Sequence, residues 1–355
     1  MNTLTQSVKK FRRTPAFTGF VLFTIALVMN ILMQGINSGT PLAFFKPAFY
    51  GSMLMTNAPF ILTTMAQSLL LIVGLFDISI GIQLALVNVI CIMVPQELGL
   101  PIWAGWLAAM GANLLVSAAF GACSSLLRLP AMLVGYAFTF IIKGVNVSIM
   151  SKPQGKVPKE VYLPYQTLIG GVLPVALLVI VAIFLMWLLI KRRPLGKHLY
   201  AVGGNPRNAY AAGISPVKVQ MQANLLKGFI VGVGGICLTL MNASGNPLQA
   251  EDYGLRSLIA CILGGMGFGG WGSMACGVFG ASFFVLIQNA VYYFFSYLSK
   301  VITGFAVSTY WQNLVSDVIL LLGLLVTIIT AREQRKTLKE GLFNQFKGGE
   351  ARVSR

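Results

Sequence analysis

The sequence predicts an all-α, polytopic membrane protein with about ten transmembrane helices. Hydrophobic residues make up 56% of the 355 residues and charged residues 10%, whereas soluble domains carry roughly 25% charged residues. Apolar runs of about 20 residues, each long enough to cross a bilayer as a helix, follow one another along most of the chain. The net charge of +17 then reflects membrane topology, and we expect no nucleic-acid partner.

The first apolar run, from Ala16 to Met33, follows a short basic segment, and we interpret it as a retained signal-anchor helix. Further spans are predicted near 52–75, 79–95, 102–127, 131–150, 170–190, 219–242, 254–268, 272–296 and 310–330. The run 254–268 is short enough to be a partial span. The chain therefore divides into an N-terminal tail (1–15), a transmembrane domain (16–330) and a basic C-terminal tail (331–355).

Positive charge sets the predicted orientation. Of the 26 Lys and Arg residues, 19 lie in the two tails, at Arg128 and between Lys191 and Lys227, all of which we assign to the cytoplasm. An even number of spans then places both termini in the cytoplasm. The five cysteines lie in apolar runs without C-x-x-C spacing, so we interpret them as buried hydrophobes and expect no metal site or cofactor.

The longest polar interval inside the transmembrane domain runs from Lys191 to Lys218. It contains a short helix whose two ends are visible in the sequence. Asn205 is an N-cap, Pro206 takes the first helical position and Gly213 ends the helix in the left-handed conformation. The body of the predicted helix is Arg207, Asn208, Ala209 and Tyr210. Such a helix between two spans is typical of a docking element, and the alternative is an ordered connector without a partner.

A second motif, from Gly74 to Gly81, places Asp77 inside an apolar region. An ionised carboxylate in hydrocarbon costs about 2.5–3.5 kcal/mol, so it needs a partner, water or a helix end. We expect Asp77 and Ser79 to cap the helix that follows, with solute contact as the less favoured alternative.

Glycines seven residues apart recur later, at Gly265 and Gly272, which indicates a weak internal repeat of the kind found in many transporters. The sequence Gly265-Met-Gly-Phe-Gly-Gly270 spells a nucleotide-binding motif, but its apolar helical context favours a tight turn. No G-x-x-x-x-G-K-[ST] sequence occurs. A transporter of this kind would therefore take its energy from a partner chain or from an ion gradient.

Within the predicted spans we find two acids, Asp77 and Asp317, both near span ends, which argues against a proton-coupled carrier. Uncharged polar side chains are more frequent: Asn57, Gln67, Gln83, Asn88, Asn113, Asn146, Asn224, Gln288 and Asn289. Such groups suit a neutral, hydroxyl-rich solute, and they equally suit hydrogen bonds between helices.

These motifs together resemble those of a known family. In chain order, Gly74–Gly81, Leu195–Ile214, the glycine-rich turn at 262–273 and Trp311-Gln312 are similar to motifs of the membrane permease subunits of bacterial ABC importers for ribose and other simple sugars. That group is related to branched-chain amino-acid permeases. The resemblance covers residues 50–330, and its most specific part is Leu195–Ile214.

The resemblance implies a permease subunit of the bacterial inner membrane that forms the path for a neutral sugar or sugar-like solute and catalyses no reaction itself. It implies cytoplasmic ABC ATPase subunits, an extracytoplasmic solute-binding protein and a second permease chain as partners, within membrane lipid. The helix at 205–213 is then the coupling helix that docks on an ATPase. The alternatives are a nucleoside, quorum-signal sugar or branched-chain amino acid as cargo, or an ion-coupled secondary transporter.

The chain departs from the family pattern at two charges. Arg256 stands where an acid is expected, and Asp317 stands beside an expected base. We expect these two residues either to form a swapped ion pair or to act separately, with Arg256 reaching lipid headgroups and Asp317 facing the solute path.

Overall fold

A computed structural model of the chain describes residues 14–40, 42–267, 269–302 and 309–330. The predicted tails lie outside this part, apart from Thr14 and Pro15. The all-α membrane fold is confirmed, because eight helices of the described part are long and apolar enough to cross a membrane.

The α-helices are α1 (Ala16–Ser38), α2 (Pro47–Ile72), α3 (Ile80–Leu98), α4 (Ile102–Gly121), α5 (Ala131–Ile149), α6 (Lys159–Gln166), α7 (Val175–Arg192), α8 (Pro194–Gly204), α9 (Pro206–Ala211), α10 (Pro216–Asn242), α11 (Tyr253–Leu263), α12 (Met274–Val301) and α13 (Thr309–Thr330). A 3-10 turn (Ala43–Phe45) precedes α2, and a π-helical turn (Ala122–Leu126) ends α4. Two short strands, β1 (Leu168–Ile169) and β2 (Leu173–Pro174), pair antiparallel.

Two of these elements differ from the predicted spans. The run predicted at 170–190 becomes helical at Val175, because Gly170 and Gly171 adopt positive φ and form the turn of the β1–β2 hairpin. The run predicted at 254–268 is the 11-residue helix α11. At about 1.5 Å per residue, α11 is too short to cross a bilayer, as expected for a partial span.

The core is built around α2. Every residue from Ala58 to Val73 is buried, and α2 packs against α10, α11 and α12. Helices α5 and α7 lie at the periphery and expose large apolar side chains, such as Phe140 and Leu185. These side chains suit contact with lipid.

Two interruptions of the helical bundle define its layout. The first break, residues 73–79, joins α2 to α3, and the second break, described at residues 264–267 and 269–273, lies between α11 and α12. The helix before each break ends in the same way. At the first break, the N–H of Leu75 donates to the carbonyl of Leu70 around Gly74, whose φ is +82°. At the second, the N–H of Met266 donates to the carbonyl of Cys261 around Gly265, whose φ is +92°. The predicted internal repeat thus has a structural counterpart at these helix ends.

Several polar side chains of the spans bond between helices. Asn88 donates to Thr239, Asn113 to the carbonyl of Gly228, and Asn146 to the carbonyls of Ile82 and Pro247. At these positions the structure favours the interhelical interpretation over direct solute contact.

Candidate functional site

The predicted docking helix is present as α9, with the predicted caps. The side-chain oxygen of Asn205 accepts the N–H groups of Arg207 at 3.0 Å and Asn208 at 3.1 Å, and Pro206 is the first helical residue. Gly213, two residues beyond the helix, has a φ of +83°. These local signals satisfy the free backbone groups at the start of the helix and end it sharply.

One side of α9 is available to a partner. Arg207, Asn208 and Tyr210 are exposed, and Tyr210 is 72% exposed, whereas Ala209 is buried against the rest of the chain. A short, rigid helix that presents an aromatic and a cationic side chain has the composition of a protein-binding surface.

The helix before it, α8, rests on both breaks. A Cβ on Gly203 would overlap the carbonyl oxygen of Ile72, at the edge of the first break, and would lie 2.9 Å from the N atom of Gly270 in the second. The hydroxyl of Tyr200 donates to the carbonyl of Gly272 at 3.1 Å. The basic interval from Lys191 to Lys218 contains α8 and α9, so we call the end of the bundle that carries these contacts the basic end.

Burial raises the pKa of Tyr200 to about 12. The hydroxyl therefore stays protonated throughout the physiological range and remains a donor to the second break. Because α9 follows α8 directly, the exposed helix is joined to both breaks through glycine contacts that leave no room for an intervening side chain.

A buried charge network joins the first break to α3, α4 and α10; it consists of Asp77, Ser79, Gln83, Phe120 and Lys227. Asp77 and Lys227 form an ion pair at 2.8 Å, and both side chains are fully buried. The other Asp77 oxygen accepts the N–H and hydroxyl of Ser79 at 2.8 and 2.6 Å. Gln83 donates to Asp77 at 2.8 Å, and Lys227 donates to Gln83 at 3.2 Å.

The last member of the network is Phe120, whose ring centre lies 5.0 Å from the Lys227 nitrogen. Each charged group thus has an opposite charge and further hydrogen-bonding or cation–π partners. A fully satisfied arrangement of this kind is what allows two charges to remain buried.

Two predictions require correction here. Neither Asp77 nor Ser79 caps α3 with its side chain. Asp77 accepts the N–H of Ser79, which precedes α3, because Asp77 lies too far ahead of Ile80 to reach the N–H groups of the first turn. Ser79 occupies the N-cap position, but its hydroxyl donates to Asp77 and makes no capping hydrogen bond. Lys227, assigned above to the cytoplasmic charge set, lies inside α10 and is fully buried. The ion pair between Asp77 and Lys227 explains both outcomes: it holds the Asp77 carboxylate away from the helix start, and it allows Lys227 to lie buried.

The two glycines of the Gly74–Gly81 motif have separate roles. Gly74 supplies the positive φ that ends α2, and a Cβ on Gly81 would overlap the carbonyl oxygen of Ala250 in the loop before α11. The motif therefore brings the start of α3, directly after the first break, into contact with the loop that leads into α11.

The Arg256–Asp317 ion pair is not formed. Arg256 Nε binds Oδ2 of Asp252, the N-cap residue of α11, at 2.9 Å, and Asp317 is exposed on α13. The i,i+4 spacing explains why Arg256 pairs with Asp252 rather than with Asp317, since a partner one turn away along the same chain needs no alignment of two helices.

Helices that break inside a membrane bundle and connect to a capped loop helix are typical of membrane transport proteins. The chain belongs to the family described as branched-chain amino acid transport system / permease component, whose sequence profile matches residues 49–324. The family assignment therefore covers both breaks, the buried charge network and α9.

Individual relatives are named for sugars. The chain is 26% identical to the ribose import permease protein of Bacillus subtilis, over 42% of this chain and 44% of that protein. It is 30% identical to the xylose transport system permease protein of Haemophilus influenzae, over 42% and 38% respectively. Similarity to the D-allose transport system permease protein of Escherichia coli, at 26% identity, extends over 74% and 82%. No solved structure matches the chain significantly.

Proposed function

We propose that this chain is the membrane permease subunit of an ATP-powered importer and forms the translocation path for a neutral sugar. The observation that carries the proposal is the connection from the exposed helix α9 through α8 to both breaks. The relatives named for ribose, xylose and allose support a sugar over the branched-chain amino acids of the family description.

In this proposal ATP is hydrolysed on separate cytoplasmic ABC subunits, and α9 is the coupling helix that docks on one of them. A solute-binding protein delivers the sugar outside the cell, and a second permease chain completes the pore. The protein lies in the bacterial inner membrane, with the basic end and both termini in the cytoplasm. The basic residues around α8 and α9 support this orientation.

The ion-coupled alternative assigns a coupling ion or proton to an acid inside the membrane, and Asp77 was the candidate. Its carboxylate is already bound to Lys227, Ser79 and Gln83, and it is fully buried. A group held in this way is poorly suited to load and release an ion in each cycle. Asp317, which is exposed, remains assigned to the solute path in our proposal.

The coupling role of α9 can be tested at Gly213. Gly213→Val places a β-branched residue at a φ of +83°, a conformation that costs about 1–2 kcal/mol for an L-residue. We expect ATP-driven sugar uptake to fall about tenfold while membrane insertion is unchanged. Gly204→Val is the control, since Gly204 is exposed, has open space around it and lacks a positive φ.

Docking itself can be tested by cross-linking to the ATPase. A cysteine at exposed Asn208 should cross-link to the ATPase subunit, whereas one at buried Ala209 should not. Wild-type uptake by Gly213→Val together with no cross-link from Asn208→Cys would exclude α9 as the coupling helix.

A further inference from the structure

Four charged side chains surround the start of α11, and we call them the charged cluster: Lys143, Glu251, Asp252 and Arg256. The Lys143 nitrogen binds both carboxylate oxygens of Glu251, at 2.8 and 2.9 Å. Arg256 Nε binds Asp252 Oδ2 at 2.9 Å. The four side chains are 31–56% exposed, in contrast to the fully buried pair of Asp77 and Lys227.

The charged cluster lies near the middle of the bundle. The ring of Tyr253, the first residue of α11, is 5.2 Å from that of Phe60, which stands at the middle of α2. The Arg256 guanidinium is 5.9 Å from the ring centre of Phe284, which packs against Phe60 at 5.1 Å. These aromatic contacts place Arg256 at the level of the hydrocarbon core.

Asp317, on α13, is another exposed carboxylate on a helix that packs against α11. Helices α11 and α13 pack together where a Cβ on Gly323 would lie 3.2 Å from Leu263.

Partly exposed charges at this level do not face lipid, because ionised groups inside membranes are found at protein interiors or water-filled cavities. The charged cluster contains two acids and two bases, so it offers no net charge to a solute. A water-filled path at this point therefore suits a neutral, polar solute better than an ion.

We infer that Asp252 and Arg256 are the hydroxyl-binding pair of the translocation path, an inference that rests on the proposed function. Their mutual contact uses Asp252 Oδ2 and Arg256 Nε, so Asp252 Oδ1 and the terminal guanidinium nitrogens make no other hydrogen bond or ion pair among the described residues. A sugar hydroxyl both donates and accepts, so neighbouring hydroxyls can bind the carboxylate and the guanidinium together. Lys143 positions this site by fixing Glu251, the residue before Asp252, to α5.

The first test asks whether the charged cluster faces water. Leu255, between Asp252 and Arg256 on α11, is 54% exposed, and Leu185 on the peripheral helix α7 is 53% exposed. In the assembled transporter, a charged methanethiosulfonate reagent should label the cysteine of Leu255→Cys more than it labels the wild-type chain. It should label Leu185→Cys no more than the wild-type chain. Equal reactivity of the two, or no reaction at Leu255→Cys, would overturn the inference.

The second test measures recognition, with the chain reconstituted with its ATPase subunits and binding protein. The probes are radiolabelled D-ribose, D-xylose and D-allose. We expect Arg256→Gln and Asp252→Asn to lower the sugar moved per ATP hydrolysed by about tenfold or more, since each removes a charge-assisted hydrogen bond, while ATPase activity persists. Lys300→Gln, a change of an exposed lysine at the far end of α12, should leave this ratio unchanged.

The outcomes separate the two proposals. If the wild-type transporter moves a probe sugar with ATP and Arg256→Gln moves as much per ATP, the hydroxyl-binding pair is wrong and the proposed function stands. If the wild type moves none of these sugars, the proposed cargo is wrong and the pair is wrong with it. If a variant assembles poorly, the reaction of Leu255→Cys with the reagent is measured with and without the transported sugar. Slower labelling with the sugar present supports the pair, and an unchanged rate contradicts it.

Discussion

Lys227→Met is expected to remove most of the folded protein, because it leaves the fully buried Asp77 carboxylate without its opposite charge. Breaking a buried ion pair on one side costs about 3–5 kcal/mol, a large part of the 5–15 kcal/mol that stabilises a typical domain. Asp77→Asn should be similarly harmful, because it leaves the Lys227 ammonium unpaired. If Asp77 served a capping role alone, Asp77→Asn would be tolerated, since an amide oxygen also caps a helix.

The double variant Asp77→Asn/Lys227→Met removes both charges and should recover most of the stability, since a buried pair replaced by neutral groups of similar volume is often neutral. The measurement is the midpoint of thermal unfolding in detergent, together with the yield of monodisperse protein. Lys218→Met, an exposed position on the same helix, is the matched control. A double variant no more stable than the worse single variant would show that the pair does not hold the first break.

Gly203→Ala is expected to abolish transport, because the added Cβ would overlap the carbonyl oxygen of Ile72 and crowd Gly270. Backbone atoms on both sides prevent local relief, so α8 has to move off the breaks. Its neighbour provides the control: a Cβ on Gly204 meets open space, and Gly204→Ala should behave as wild type.

The readout for this pair of variants is the ATPase activity of the assembled transporter with and without loaded binding protein. Gly203→Ala should assemble and hydrolyse ATP without the usual stimulation, since the link between α9 and the breaks is disturbed. Normal stimulation and uptake in Gly203→Ala would show that α8 does not transmit motion to the breaks.

Some of this site could be predicted because its signals are local. Asn205, Pro206 and Gly213 specify the start and the end of α9 through their own backbone preferences, and each has the predicted role. The all-α membrane fold could be predicted in the same way, since it depends on apolar runs as long as the bilayer is thick, and eight helices of the described part are long and apolar enough to cross one.

The partner of Asp77 could not be identified in the same way, because Lys227 lies on α10, far along the chain from the first break. The positive-inside rule counts lysines by position, and Lys227 lies close enough to the basic loop to be counted with it. One signal was present: Lys227 is the single Lys or Arg of the apolar run 219–242, and a buried acid requires a cation. The i,i+4 spacing of Asp252 and Arg256 was likewise available from the sequence.

The central claim, that this chain moves a neutral sugar with energy from ATP hydrolysed on another chain, is tested most directly by uptake into proteoliposomes. The chain is reconstituted with its ATPase subunits and binding protein, and uptake of radiolabelled D-ribose, D-xylose and D-allose is followed. Our account predicts uptake that requires both ATP and the ATPase chain and that persists when ion gradients are dissipated. Uptake that continues without the ATPase and collapses with the ion gradient would contradict it.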